Sequence, residues 1–297
     1  MAKFDNWGFT ARVILLVVIA SAIAALSAAA QSQAEAVTAS ETLGANARQA
    51  MIDIFRKKDT TAVDRYFGEP FIQHDPTLAD GLAGMKSFAA EVANSSAADI
   101  TIYRTIVDGD FVLLHSRYQD VRRYGGSAIA FDLFRFKDGK IVEHWGGQEP
   151  ETPPNLSGRT QVDGPGDVID REKTEANRTL VRTYRETVMG SLRFDRIEEF
   201  IDDAHYAQHA SKIGDGIAQL RSRIAGVAKE GGQLYLTSRR FVAEGNFVLV
   251  LSEGDLPSGL TALYDLFRVE NGKIVEHWDV LTPIPPREAW KNSNGPF

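Results

Sequence analysis

The sequence predicts an α+β chain of two similar domains, each with helices packed on one face of a curved antiparallel sheet. Three observations carry this. DLFRFKDGKIVEHW from Asp132 to Trp145 returns as DLFRVENGKIVEHW from Asp265 to Trp278, so eleven of fourteen positions recur 133 residues later. In each copy the apolar residues recur first with helical and then with strand spacing. Short Gly-containing turns, DGD, KDGK and ENGK, join successive apolar runs as antiparallel hairpins require.

Residues 1–34 stand apart. Lys3 and Arg12 flank a polar start, Val13 to Ala25 is apolar except for Ser21, and Ala28, Ala29 and Ala30 offer an A-x-A site. The pattern is that of a secretory signal peptide cleaved near Ala30; the rival reading is a retained membrane anchor of about minimal spanning length. Both place the domains outside the cytoplasm, periplasmic or secreted. The first domain is expected over 41–150, a linker over 151–170, the second domain over 171–285 and a tail over 286–297. Pro150, Pro153, Pro154 and Pro165 mark the linker.

Ala47, Ala50, Met51, Ile54 and Phe55 form an amphipathic helical stripe, and Leu180, Val181, Tyr184 and Val188 repeat it in the second copy. Further helices are expected at Ala62 to Phe67, Leu82 to Ala93, Asp195 to Phe200 and Ile217 to Ala228. Strands follow at Ile100 to Val107, Phe111 to Val121, Ala128 to Phe136 and Lys140 to Trp145, with matching segments from Leu234 to Leu281.

Composition narrows the chemistry. The chain has no cysteine, which excludes thiol catalysis, Cys-ligated zinc and disulfides. Its formal charge is −7, and loss of Lys3, Asp5 and Arg12 with the leader makes it one unit more negative, which argues against a nucleic-acid partner. No Gly-rich phosphate loop and no GxSxG elbow occurs, so no cofactor is implied. His205 and His209 have metal-like spacing, but no Glu of an HExxH motif accompanies them, so no metal site is expected.

QH ending at His74 and His209, DG at Asp80–Gly81 and Asp215–Gly216, and the D-x-F-R-x-x-x-G-K-I-V-E-H-W run together resemble the SnoaL-like branch of the NTF2-like superfamily, which includes polyketide cyclases and ketosteroid isomerases. The resemblance implies two cone-shaped domains, each with a pocket between sheet and helices, and two domains paired through their sheets, with Trp145 and Trp278 supplying contact area. It is specific for the superfamily and weak for any one reaction.

The final hairpin carries the candidate chemistry. A two-residue turn at Asn271 and Gly272 sets Asp265 opposite Trp278, and a three-residue loop with a G1 bulge sets it opposite His277; Asn-Gly suits both, and the resemblance, which turns the Asp into the pocket, favours the second. Either way the question is which residues share a face, and on the favoured register Asp265, Phe267, His277 and Asp279 do. The resemblance gives Asp132 and Asp265 the role of a neutral carboxyl donor and Asp279 that of the acid/base. Arg268 with Glu276, and Arg135 with Glu143, read as cross-strand ion pairs on the opposite face.

The copies diverge: the first has His115 and Gly146 where the second has Leu251 and Asp279. The expected catalytic set is therefore Asp279, Asp265 and His277, with His209, Phe267, His74, His115, Asp132, Phe134 and His144 as ligand contacts. Two readings follow: a cofactor-free acid/base enzyme of isomerase or aldol cyclase type acting on a small apolar carbonyl compound, or an exported binding module for a hydrophobic small molecule. A purely structural role predicts pockets filled by side chains.

Overall fold

The computed structural model describes residues 38–121, 124–229, 236–256 and 259–297. The expected leader lies outside them, and among the described residues no helix is long and apolar enough to cross a membrane. The chain divides into two compact units, Met1–Thr42 and Leu43–Phe297. The described part of the first, 38–42, is helical; both sheets lie in the second.

Two five-stranded sheets share one strand order. The first runs β1 (Phe67–Gln73), β5 (Lys140–Pro150), β4 (Gly126–Lys137), β3 (Phe111–Val121), β2 (Asp99–Asp108); α1 (43–55 in this unit), α2 (Ala62–Tyr66) and α3 (Gly81–Ala93) cover one face. The second runs β6 (Ala207–Gln208), β10 (Lys273–Pro283), β9 (Gly259–Glu270), β8 (Phe247–Leu256), β7 (Leu236–Glu244), covered by α4 (Thr174–Tyr184) and α5 (Ile217–Lys229). The sheets are mixed, not wholly antiparallel, because β1 and β6 pair in parallel with β5 and β10. These edge strands escape a sequence reading: β1 contains Pro70, and β6 is two residues long. The helix expected from Asp195 to Phe200 is a 3₁₀ turn, Phe194–Glu199.

Helix periodicity becomes core packing as expected. Ala47, Ala50, Met51, Ile54 and Phe55 are buried, and Val181, Tyr184, Arg185, Val188 and Met189 are buried at the same spacing. The second stripe thus places an arginine where the first has Met51. It does so at the start of a π-helical turn, Arg185–Gly190.

The hairpin register corrects the expected one. Asp138–Gly139 and Asn271–Gly272 are two-residue turns with both residues at positive φ, so the three-residue loop does not form. A bulge then skips Val142 in one copy and Val275 in the other, which sets Asp132 opposite Gly146 and Asp265 opposite Asp279. Asp265, Phe267, His277 and Asp279 still share the helix-facing side. The expected ion pairs form on the other side: Arg135 Nε to Glu143 Oε2 at 2.5 Å and Arg268 Nε to Glu276 Oε2 at 2.6 Å.

Those other faces pack on each other. Leu113, Phe131, Leu133 and Trp145 of the first sheet join Leu249, Leu251, Leu266 and Trp278 of the second in one buried cluster. Arg104 on β2 lies 4.0 Å over the Trp278 ring, and Arg240 on β7 lies 4.5 Å over Trp145. Each guanidinium thus covers the other domain's tryptophan. Gly147 permits the close crossing, since a Cβ there would lie 2.4 Å from the Tyr264 ring.

Candidate active site

A cavity of about 390 Å³ opens between sheet and helices of the first domain. Met51, Phe55, Met85, Phe88 and Phe134 supply its apolar wall, and Asp132, His144 and Tyr118 its polar floor. The volume lies in the range of small-molecule pockets, which combine apolar walls with a few placed polar groups.

The floor is a chain of hydrogen bonds. Tyr118 OH donates to Asp132 Oδ2 at 2.7 Å, Asp132 Oδ1 faces His144 Nε2 at 3.0 Å, and His144 Nδ1 faces Gln73 Oε1 at 3.0 Å. Gln73 Oε1 also accepts from the Asp75 backbone N–H at 2.9 Å, which fixes it as an acceptor and makes His144 Nδ1 the donor. One proton is then shared between His144 Nε2 and Asp132 Oδ1: either the pair is an imidazolium and a carboxylate, or both are neutral. Burial raises the Tyr118 phenol well above its ordinary pKa, with Asp132 adding to the shift, so the hydroxyl keeps its proton.

The QH and DG motifs build this floor. Asp80 Oδ1 accepts from Gln73 N–H and Asp215 Oδ1 from Gln208 N–H, both at 2.9 Å, and the following Gly81 and Gly216 sit at φ 72° and 85°, where glycine is favoured. The repeated QH is thus a signal for the glutamine: Gln73 and Gln208 orient the hairpin histidines.

His74, His209 and His115 correct the expected ligand set. His74 stacks on Trp145 and bonds Glu143 Oε1 at 2.8 Å, while His209 stacks on Trp278 and bonds Glu276 Oε1 at 2.8 Å; both therefore serve the face between the sheets. His115 is fully buried there, accepting from Arg104 Nη1 at 3.0 Å; burial, then Arg104, hold its pKa well below the ordinary value. Asp132, Phe134 and His144 do line the cavity. Tyr118 and Met51 line it too, though neither stands out in the sequence. His205 is exposed and paired with Asp202.

The second domain repeats the frame with a different filling. His277 Nδ1 faces Gln208 Oε1 at 2.9 Å, and its Nε2 faces Asp265 Oδ1 at 3.1 Å. Where Tyr118 stands in the first domain, the second has Gly254, and Asp265 Oδ2 instead meets Arg185 Nη1 at 3.2 Å, with Arg185 Nη2 donating to Ser252 at 2.8 Å. Phe267 packs against Tyr184 and the His277 ring.

These charges reverse the expected acid and base. Burial pushes Asp265 up, but Arg185 and His277 outweigh it and hold the carboxyl below its ordinary value, so Asp265 is not the neutral donor. Asp279, half-buried, is pushed well above the ordinary range by burial first, then by Glu149 and Asp265. Burial likewise raises Glu149 to about 7. Asp279 and Glu149 are thus two raised carboxyls beside the lowered Asp265. Asp265, His277 and Asp279 offer ligand atoms within 4.8 Å of one another, but the Arg185 guanidinium already supplies the positive charge a metal ion would bring.

Residues 49–144 match the SnoaL-like domain family. No curated protein matches the chain. Among solved structures, an NTF2-like protein from Mesorhizobium loti is 23% identical, covering 37% of this chain and 93% of that one with TM-score 0.33. A SnoaL-like polyketide cyclase from Agrobacterium tumefaciens is 14% identical, with 35% and 90% covered and TM-score 0.30. An NTF2-like protein from Cytophaga hutchinsonii is 13% identical, with 35% and 88% covered and TM-score 0.31. Asp132 and His144 therefore both lie in residues 49–144, the segment that matches the SnoaL-like domain family.

Proposed function

We propose that the first domain binds a small, largely apolar carbonyl compound and moves a proton on it with Asp132 and His144. The observation that carries this is the joining of a 390 Å³ apolar-walled cavity to a hydrogen-bonded Asp–His pair. Walls such as Phe55, Phe88 and Phe134 favour a carbon skeleton through burial, at roughly 25 cal/mol per Å². Asp132, as a carboxylate accepting from His144 Nε2, takes a proton on Oδ2 from the carbon next to the carbonyl and returns it to another carbon of the same skeleton, and the Tyr118 hydroxyl, released from Oδ2 once that oxygen is protonated, donates toward the oxygen that gains charge. That is isomerase or intramolecular aldol cyclase chemistry, needing no cofactor.

Deuterium uptake by cyclic ketones in D₂O, followed by mass spectrometry, tests the chemistry without a known substrate. The Asp132→Asn variant should lower uptake by about two to four orders of magnitude. Native mass spectrometry of the purified protein identifies any ligand held in the cavity. Gly146 favours a second reading, a binding module, because the first domain's pair lacks the second carboxylate that Asp279 gives Asp265. Ligand capture with no uptake above buffer would establish that reading. Export belongs to the same proposal and rests on Lys3 to Ala30 alone; N-terminal sequencing of secreted protein tests it.

A further inference from the structure

The two domains exchange straps. The chain leaving β10 crosses the loop after β1 of the first domain: Lys291 N donates to Pro76 O at 2.8 Å, and Asn292 Nδ2 donates to the carbonyls of Asp75 and Leu78 at 2.7 and 3.0 Å. Asn294 Nδ2 donates to Gln73 O at 3.0 Å, and Gly295 O faces His74 Nδ1 at 2.7 Å. The chain leaving β5 treats the second domain alike. Asn155 Nδ2 donates to Gln208 O at 2.6 Å and Ala210 O at 3.3 Å, and Thr160 O faces His209 Nδ1 at 2.9 Å. Asp163-Gly164-Pro165 and Asn294-Gly295-Pro296 end the two straps.

We propose that Asn292 and Asn294, on the strap that follows the second domain, are positioning residues for the first domain's Asp132–His144 pair. Gln73 is held at three points: its N–H by Asp80, its carbonyl by Asn294, and its side-chain oxygen by the Asp75 N–H. That oxygen in turn orients His144, which faces Asp132. Asn292 fixes the carbonyls of Asp75 and Leu78 on the same loop. Without the two amides, Gln73 O loses one hydrogen bond, the loop carrying Asp75 gains freedom, and the Gln73 oxygen that orients the His144 ring is held less firmly. The first domain's site is thus completed by a segment that belongs to the second.

The inference rests on the reading of Asp132–His144 as the working pair only for its activity readout; its geometry is tested separately. In the full chain carrying Asn292→Ala and Asn294→Ala, ¹⁵N NMR of the His144 ring should show the Nδ1 proton exchanging with water at least tenfold faster. Ketone deuterium uptake should fall about tenfold in kcat with KM little changed. Asn155→Ala, on the opposite strap, should alter His277 and leave His144 as it was. If the double variant does not fold, Asn294→Ser alone carries the same readouts. A His144 ring that behaves as in the parent, or that responds equally to Asn155→Ala, overturns the inference. A changed His144 ring in a protein whose parent shows no uptake leaves the inference standing and sinks the enzymatic reading instead.

Discussion

In the first domain Asp132 faces a tyrosine and a cavity; in the second, Asp265 faces a buried arginine. The surrounding Gln–His–Asp frame is the same in both, to within about a tenth of an ångström at each hydrogen bond. Three positions separate them: Met51 against Arg185, Tyr118 against Gly254, and Gly146 against Asp279. A thioether on the helix leaves Asp132 to be satisfied by a neutral hydroxyl and leaves space beside it. A guanidinium occupies that space and neutralises the aspartate outright. Open space beside the aspartate therefore depends less on the acid–histidine pair, which both domains keep, than on what the covering helix presents to it.

The comparison breaks most sharply at the aspartates. Asp265→Ala strands the Arg185 charge in a site where the side chain is 4% exposed, and should cost about 3–5 kcal/mol in urea unfolding. Asp132→Ala leaves only the neutral Tyr118 and a histidine bordering the cavity, and should cost about 1–2 kcal/mol. Equal costs would show that Arg185 contributes nothing beyond a hydrogen bond.

A transplant sharpens the same point. Met51→Arg carries the second domain's filling into the first, and affinity for the neutral fluorophore N-phenyl-1-naphthylamine should fall about 100-fold, close to 3 kcal/mol. The paired change Arg185→Met with Asp265→Asn should let the second domain take up the same probe. Unaltered binding after Met51→Arg would place the fluorophore outside the cavity.

Much of this frame is legible in the sequence, and the gaps have physical causes. Helix stripes and inner strands announce themselves by period, because one face of each is buried. The hairpin face assignment survives, although the register does not: a bulge at Val142 and Val275 has no residue signature, since valine suits bulged and regular strand alike. The histidines of QH attract notice for their chemistry, yet the glutamines do the orienting, which only a hydrogen-bond partner 71 residues away in sequence reveals. Arg185 does leave a trace, as a charge set within the stripe of Val181, Tyr184 and Val188, where a core helix is expected to be apolar. The straps leave only a faint one, the Gly-Pro pair that ends each segment.

Acidity offers a smaller contrast. Burial raises Glu149 to about 7, against hydrogen bonds from Leu281 N–H and Gln161 and the field of Lys212, and Asp279 is raised by burial, Glu149 and Asp265 against Arg223. Raised carboxyls bind protons in the folded state that the unfolded chain has released. The stabilisation from Glu149 is thus complete below about pH 4.5 and is lost as pH climbs through about 7. Urea unfolding at pH 5 and pH 8 should differ by on the order of 2 kcal/mol, and Glu149→Gln should remove much of that difference. The first domain has Gly146 opposite its Asp132 and contributes no such pair.

The smallest contrast lies on the faces between the sheets, where the two ion pairs look alike but differ in surroundings. Arg135 and Glu143 are 28% and 13% exposed, while Arg268 and Glu276 are 17% and 4% exposed, and Arg268 also reaches Glu270 at 3.0 Å. In both domains a histidine bonds the other carboxylate oxygen, so removing the arginine does not leave the glutamate alone. Its loss should therefore cost far less than an uncompensated buried charge: about 0.5 kcal/mol for Arg135→Ala, within the usual range for partly solvated pairs, and about 1 kcal/mol for Arg268→Ala. Glu276 responds to pH in the direction opposite to Asp279. Burial raises Glu276, but His209 and Arg268 outweigh it and hold its carboxyl down, so its stabilisation is present above its ordinary value and is lost as pH falls below it. Arg268→Ala should accordingly weaken the protein more at pH 7 than at pH 3.5 by urea unfolding. A cost independent of pH would mean that Arg268 acts through packing of its stem, not through its charge on Glu276.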